Sequence, residues 1–128
     1  MSVIRRVSSD GPWEDQIGYS RAVVAGPFVL VSGCTSTVGD DVHHLGDPYA
    51  QALEAFGVAE AALHQVGAGL VDVVRTRMYL RHARDCDAVG RAHAKLFSAV
   101  RPAATMLVVA GFIDFRMLVE IELDAYIG

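Results

Sequence analysis

At 128 residues the chain is long enough for one hydrophobic core and too short for two, so residues 1–128 read as one domain. Hydrophobic residues make up 52% and charged residues 20%, which is apolar for so small a chain and points to a well-filled core or to apolar surface covered by a partner. The net charge of −4 argues against nucleic-acid binding, which draws on phosphate neutralisation, and no run of 18 or more apolar residues offers a membrane span.

The first segment, Met1 to Asp10, carries Arg5 and Arg6 with no apolar run behind them, so it does not read as a signal peptide. Cys34 and Cys86 form neither a CxxC nor a zinc spacing, and read as free thiols, small core residues of a cytoplasmic protein. The apolar runs Ala22 to Ala25 and Phe28 to Ser32 flank Gly26-Pro27 and predict a hairpin, with Gly33 ending its second strand. A polar loop is expected over 35–46, including the cluster DDVHH (Asp40, Asp41, His43, His44), which reads as solvated because adjacent histidines point apart. Asp47-Pro48 supplies a cap and a first helical residue, and Leu53, Phe56, Ala59, Leu63 and Val66 recur at helical spacing up to Gly67, predicting a helix over 48–66.

Residues 73–80 read as a strand with Val74, Thr76, Met78 and Leu80 on one face and Arg75, Arg77 and Tyr79 on the other. Asp85 is placed to cap a second helix over 86–99, with Val89, His93, Leu96 and Val100 inward, ending before Pro102. A strand over 104–110, a loop over 111–116 and a strand over 117–126 follow. In the last strand Met117, Val119, Ile121, Leu123 and Ala125 alternate with Leu118, Glu120, Glu122, Asp124 and Tyr126. Two helices cover only one face of a sheet of about five strands. The other face, with Arg75, Arg77, Tyr79, Glu120 and Glu122 amid Met106 and Val108, is half apolar and calls for a second copy of the chain.

Glu120 stands out on that face. It is flanked by Val119 and Ile121, and burial there would raise its pKa and let it hold or pass a proton. The competing reading is a salt bridge to Arg75 or Arg77. Arg77 and Tyr79 project together and suit a carboxylate ligand, or else pair across the sheet with Glu120 or Glu122. His64, His82 and His93 read as surface or helix-face residues. No nucleophile elbow, phosphate loop or dinucleotide fingerprint occurs.

Three segments, QIGYSRAVVAGPFVLVSGCTS (16–36), VVRTRMYL (73–80) and RPAATMLVVAGFIDFRMLVEIELDAY (101–126), resemble the RidA (YjgF) family and span nearly the whole chain in order. The resemblance implies an α/β (α+β) protein of the chorismate-mutase-like RidA fold: a single mixed sheet with two helices on one face, assembled as a homotrimer. It also implies small-molecule pockets between subunits and hydrolysis of 2-imino or 2-enamino acids to 2-keto acids and ammonia, with no metal or organic cofactor. By similarity Glu120 positions and activates water, and Tyr19, Ser32, Gly33 and Tyr79 line the pocket. The chain departs from the family at Ala104, where deaminating members carry an arginine that grips the substrate carboxylate, and at Met106 and Gly90, where they carry cysteine and asparagine. Losing one partner of a buried charge pair costs ~2–5 kcal/mol, or ~30-fold to several thousand-fold in affinity. Arg77 has the right parity to substitute, whereas Arg101 sits ~10 Å from Ala104 on the opposite face. Ala104 and Met106 would enlarge the pocket and make it more apolar. The alternatives to a hydrolase are a non-catalytic trimer that binds a small metabolite and, more remotely, a chaperone-like interaction role.

Overall fold

A computed structural model describes residues 4–9 and 11–128. The reading of Met1–Asp10 therefore falls partly outside the described residues. Within that segment Ile4–Val7 forms a strand, β1, which the sequence did not announce because IRRV has no apolar alternation. A π-helical turn over Glu14–Gly18 precedes the expected hairpin of β2 (Ala22–Ala25) and β3 (Phe28–Cys34). The 35–46 loop contains a small hairpin, β4 (Thr37–Val38) with β5 (Asp41–Val42). Within it His43 and His44 lie 3.2 and 3.4 Å from Glu54 Oε1.

Helix α1 (Pro48–Gln65) starts as its sequence dictates: the Asp47 carboxylate accepts from the Ala50 N–H at 3.0 Å, and Pro48 takes the first helical position. Its buried face is broader than the expected stripe. Phe56, Ala59 and Leu63 are buried, but so are Gln51, Ala52, Ala55 and Ala62, while Leu53 and Val66 are only partly covered. The alanines let the helix lie close to the sheet.

Strand β6 (Val73–Leu80) alternates as expected from Thr76 onward. At its start the register to β8 slips between Val73 and Arg75, so Val73 turns inward and Val74 outward, reversing the expected side of Val74. Helix α2 (Cys86–Phe97) follows a 3₁₀ turn at Ala83–Asp85. The Asp85 side chain makes no capping hydrogen bond, and the helix ends two residues early. Its inner face is Val89, Ala92 and Phe97, with Leu96 and Val100 at the margin. His93, placed on the inner face of this helix by its spacing, packs 4.7 Å from Phe97 and 5.8 Å from Phe56 by ring centroids, and shares a 2.8 Å hydrogen bond with Thr76 Oγ1. Burial lowers its pKa.

Strands β7 (Ala103–Val108) and β8 (Val119–Tyr126) complete a six-stranded sheet of order β1-β2-β3-β8-β6-β7. All neighbours are antiparallel except β6 and β7, which the α2 crossover joins in parallel. Both helices cover one face, over a core that includes Val29, Val31, Phe56, Leu63, Leu80, Val89, Phe97, Val119, Ile121 and Leu123. Each large side chain buried there contributes ~1.5–3 kcal/mol. β8 keeps the expected alternation, and the sheet carries one strand more than expected. Met106 and Val108 are a correction: the β6–β7 register pairs Met106 with Met78 and Val108 with Leu80, on the helix side rather than the helix-free side. On the helix-free face Phe28, Leu30, Leu107 and Tyr126 are each roughly half exposed, at 45%, 45%, 52% and 46%. Among the described residues no helix is long and apolar enough to cross a membrane.

Candidate functional site

A cleft of about 630 Å³ opens where the β3 and β8 strands meet Ser9 and residues 11–21, the 35–39 loop and the 109–118 loop. Its floor depends on one irregularity. β3 is in register with β8 up to Val31 opposite Leu123 and resumes with Cys34 opposite Ile121, so one extra residue bulges at Ser32-Gly33. The bulge turns Cys34 into the core and leaves Gly33 against the Glu120 side chain. A Cβ at Gly33 would collide with the Glu120 carboxylate, whose Cδ lies 3.1 Å from where it would stand. Only glycine lets the carboxylate rest on the strand.

Glu120 is half-buried, and its pKa is raised, first by burial and then by the neighbouring charge of Glu122, with Arg21 pulling the other way. Glu122 also lines the cleft and accepts a short hydrogen bond from the Tyr79 hydroxyl, a bond that pushes the Tyr79 phenol upward. Ser32 donates its hydroxyl to the Ser20 carbonyl at 2.6 Å, which fixes the oxygen with lone pairs to spare. Tyr19 leaves the π-helical turn through Gly18, whose φ of +90° favours glycine, and reaches the cleft wall.

Beneath this floor lies a buried ionic network. Arg21 Nη1 donates to the Gly33 carbonyl at 2.6 Å, and Nε donates to Ser9 Oγ at 3.3 Å. Its Nη2 lies 4.0 Å from Glu14 Oε2. Burial works against the Glu14 charge, but hydrogen bonds from the Ser9 side chain and backbone and from Ser8, with Arg21 nearby, leave its pKa lowered overall. Cys34, 3.4 Å from Arg21 Nη1, is pushed up to about 11 chiefly by burial and is a poor nucleophile. The other thiol, Cys86, is exposed rather than a core residue.

The far wall is held by Gln51, a buried amide on α1. Its Nε2 donates to the Arg116 carbonyl at 3.1 Å, and its Oε1 accepts from the Leu118 N–H at 2.9 Å. Arg116 in turn bonds Asp114 at 2.8 Å, which holds the Asp114 carboxyl at about 2. This tethered loop brings Ile113 and Met117 to a cleft whose rim also carries Trp13, Ile17 and Val38.

Of the residues expected at the site, the fold gathers Tyr19, Ser32, Gly33 and Glu120 around the cleft. Arg77 and Tyr79 stand on the same sheet face outside its lining: Arg77 lies 3.4 Å from Asp124, and Tyr79 holds Glu122. Ala104 and Met106 lie on the edge strand β7, beyond β6, and Met106 leans on the core. Sequence reasoning passed over Arg21, Glu14 and Ser9. Arg21 had one visible sign, a charged residue at the threshold of an apolar strand, two positions from Tyr19; the Glu14 partnership depends on tertiary folding alone.

The family profile described as Endoribonuclease L-PSP matches residues 14–127. An uncharacterised Streptomyces coelicolor protein is 53% identical over 125 residues, covering 98% of this chain and 93% of that protein. The 3-aminoacrylate deaminase RutC of Acinetobacter baylyi is 31% identical over 110 residues, covering 85% of this chain and 86% of its own. The crystal structure of Rv2704 from Mycobacterium tuberculosis, described as a member of the highly conserved YjgF/YER057c/UK114 family, superimposes with a TM-score of 0.85 at 44% identity, covering 97% of this chain and 99% of that one.

Proposed function

The chain belongs to the YjgF/RidA family, and from that premise we propose that it hydrolyses an imine or enamine to a carbonyl compound and ammonia, with Glu120 as the base. The observation that carries this reading is the Glu120 carboxylate, half-buried in a largely apolar cleft, raised in pKa and resting on Gly33. In the proposed step the Glu120 carboxylate takes a proton from water as the oxygen attacks the C=N carbon. Glu120 passes that proton to the nitrogen, giving a carbinolamine; it then takes the proton of the new hydroxyl and delivers it to the nitrogen as the C–N bond breaks, so that ammonia leaves, the carbonyl forms and Glu120 ends ionised. The similarity to a 3-aminoacrylate deaminase supports this chemistry, since an aminoacrylate is an enamine that tautomerises to an imine.

We further propose a cytoplasmic homotrimer in which neighbouring copies close the cleft. Ala104 and Met106 would then reach a ligand from the adjacent subunit, because within one chain β7 is separated from β8 by β6. Tyr19, Ser32 and Gly33 line the pocket, and Arg77 and Tyr79 border it through Asp124 and Glu122. RNA is a poor fit despite the family's description, because the cleft presents Glu120 and Glu122 against one arginine and the chain carries a net charge of −4.

Ammonia release from imines generated in place from a panel of amino acids tests the hydrolase. Glu120→Gln is expected to lose about 10²–10⁴-fold in rate, the usual worth of a general base. The parent's acid limb should lie above the ordinary carboxylate value of 4.5, because the base works only when ionised. Equal rates in parent and variant would remove Glu120 from the chemistry. Ala104 at the arginine position favours a second reading, a non-catalytic metabolite-binding trimer. Its signature is thermal stabilisation by a metabolite with no ammonia released.

A further inference from the structure

Among the described residues, Arg21 is the only lysine or arginine lining the cleft, and it is just 7% exposed. A guanidinium brings five N–H donors, and buried donors are nearly always paired. Nη1 is well used, with the Gly33 carbonyl at 2.6 Å and the Ser32 carbonyl and Cys34 Sγ each at 3.4 Å. Nε is used by Ser9. Nη2 is not: among the described residues its nearest acceptor is the Tyr19 hydroxyl at 3.5 Å, the limit of a hydrogen bond, and Glu14 Oε2 is out of reach at 4.0 Å. The Glu14 carboxylate is itself occupied by Ser8 and Ser9. A buried cation thus keeps one underused edge beside the Tyr19 phenol, whose hydroxyl accepts from Arg21 and can also donate a proton of its own.

We propose that the Nη2 edge of Arg21 and the Tyr19 hydroxyl together seat a carboxylate of the ligand, in the same chain as the Glu120 that acts on it. One N–H and one O–H offer a donor to each carboxylate oxygen. The low dielectric of the buried position strengthens both bonds, since a charge-assisted hydrogen bond is about twice as strong as a neutral one. This assigns the anion contact to a residue of the cleft floor, which bears directly on the alanine at position 104. The choice of probe below rests on the hydrolase reading, because a 2-keto acid is its product; the contact itself does not.

The test compares 2-oxobutanoate with its neutral analogue 2-oxobutanamide, by calorimetric titration of the intact protein. The parent is expected to bind the acid at least tenfold more tightly than the amide. Glu14→Gln combined with Arg21→Gln removes both buried charges together. It should bind the two probes equally, with its affinity for the amide unchanged, and Tyr19→Phe should lose several-fold of the preference. If the double variant does not fold, Arg21→Lys decides, because it keeps the buried charge but not the fork: a tenfold drop in preference supports the assignment and an unchanged preference overturns it. A preference retained by the double variant, or no preference in the parent, overturns it as well. The two readings fail separately. Carboxylate preference without ammonia release sinks only the hydrolase, whereas ammonia release from a folded double variant that still prefers the acid sinks only Arg21.

Discussion

Glu120 sits where an ionised carboxylate is least comfortable, and the cost of that placement has a sign that can be measured. Its folded pKa is above its unfolded one, so the protonated acid is the form the fold prefers. The stability is full below the ordinary value of 4.5 and is lost as pH rises through the raised value. Glu120→Gln is neutral throughout. Thermal melts should therefore show the variant higher than the parent near pH 8, with the gap closing near pH 4. A constant gap across that range would mean that the charge carries no penalty. This residue was legible in the sequence because an acid in the middle of an apolar, alternating strand is a local pattern. Arg21 was not. Its role follows from a carbonyl twelve residues away at Gly33 and a carboxylate in a preceding turn, and neither is a pattern in the neighbouring letters.

At the scale of elements, the β3 bulge turns a strand into a site. Gly33→Ala keeps a backbone conformation open to any residue, yet its methyl meets the mobile end of the Glu120 side chain. The carboxylate can swing aside for about 1 kcal/mol, within the usual range for a point substitution. The expected result is a melting temperature lowered by only a few degrees together with a turnover at least tenfold slower, measured on the same preparation. Full turnover in this variant would show that the resting place of the carboxylate does not matter. The bulge was invisible beforehand, because VLVSGC read as a strand that stops at glycine. The run actually continues one residue further with its sides exchanged. The same cause misplaced Val74, whose bulge falls in an all-apolar pair of residues. Met106 and Val108 failed for another reason: an edge strand with apolar residues on both sides carries no phase to read. Strand β6, helix α1 and the alternation of β8 were legible because each buries one face and exposes the other, the condition under which period and fold agree.

The whole molecule has a covered side and an uncovered one. Phe28, Leu30, Leu107 and Tyr126 stand on the side without helices, beside the charged rows of β6 and β8. On the trimer reading this surface is the interface, so Leu30→Asp should convert the parent's assembly to monomer in analytical ultracentrifugation. Ammonia release should fall with it, while far-ultraviolet circular dichroism stays native. A variant that sediments as the parent does would place the interface elsewhere. The two layers are also bound together at Gln51. Its amide replaces a missing rung between helix α1 and the backbone on either side of Met117, holding a carbonyl at one end and an N–H at the other. That wall of the cleft is thereby riveted to the helical layer, and it can swing away from Glu120 only by dragging a turn of α1 out of the core.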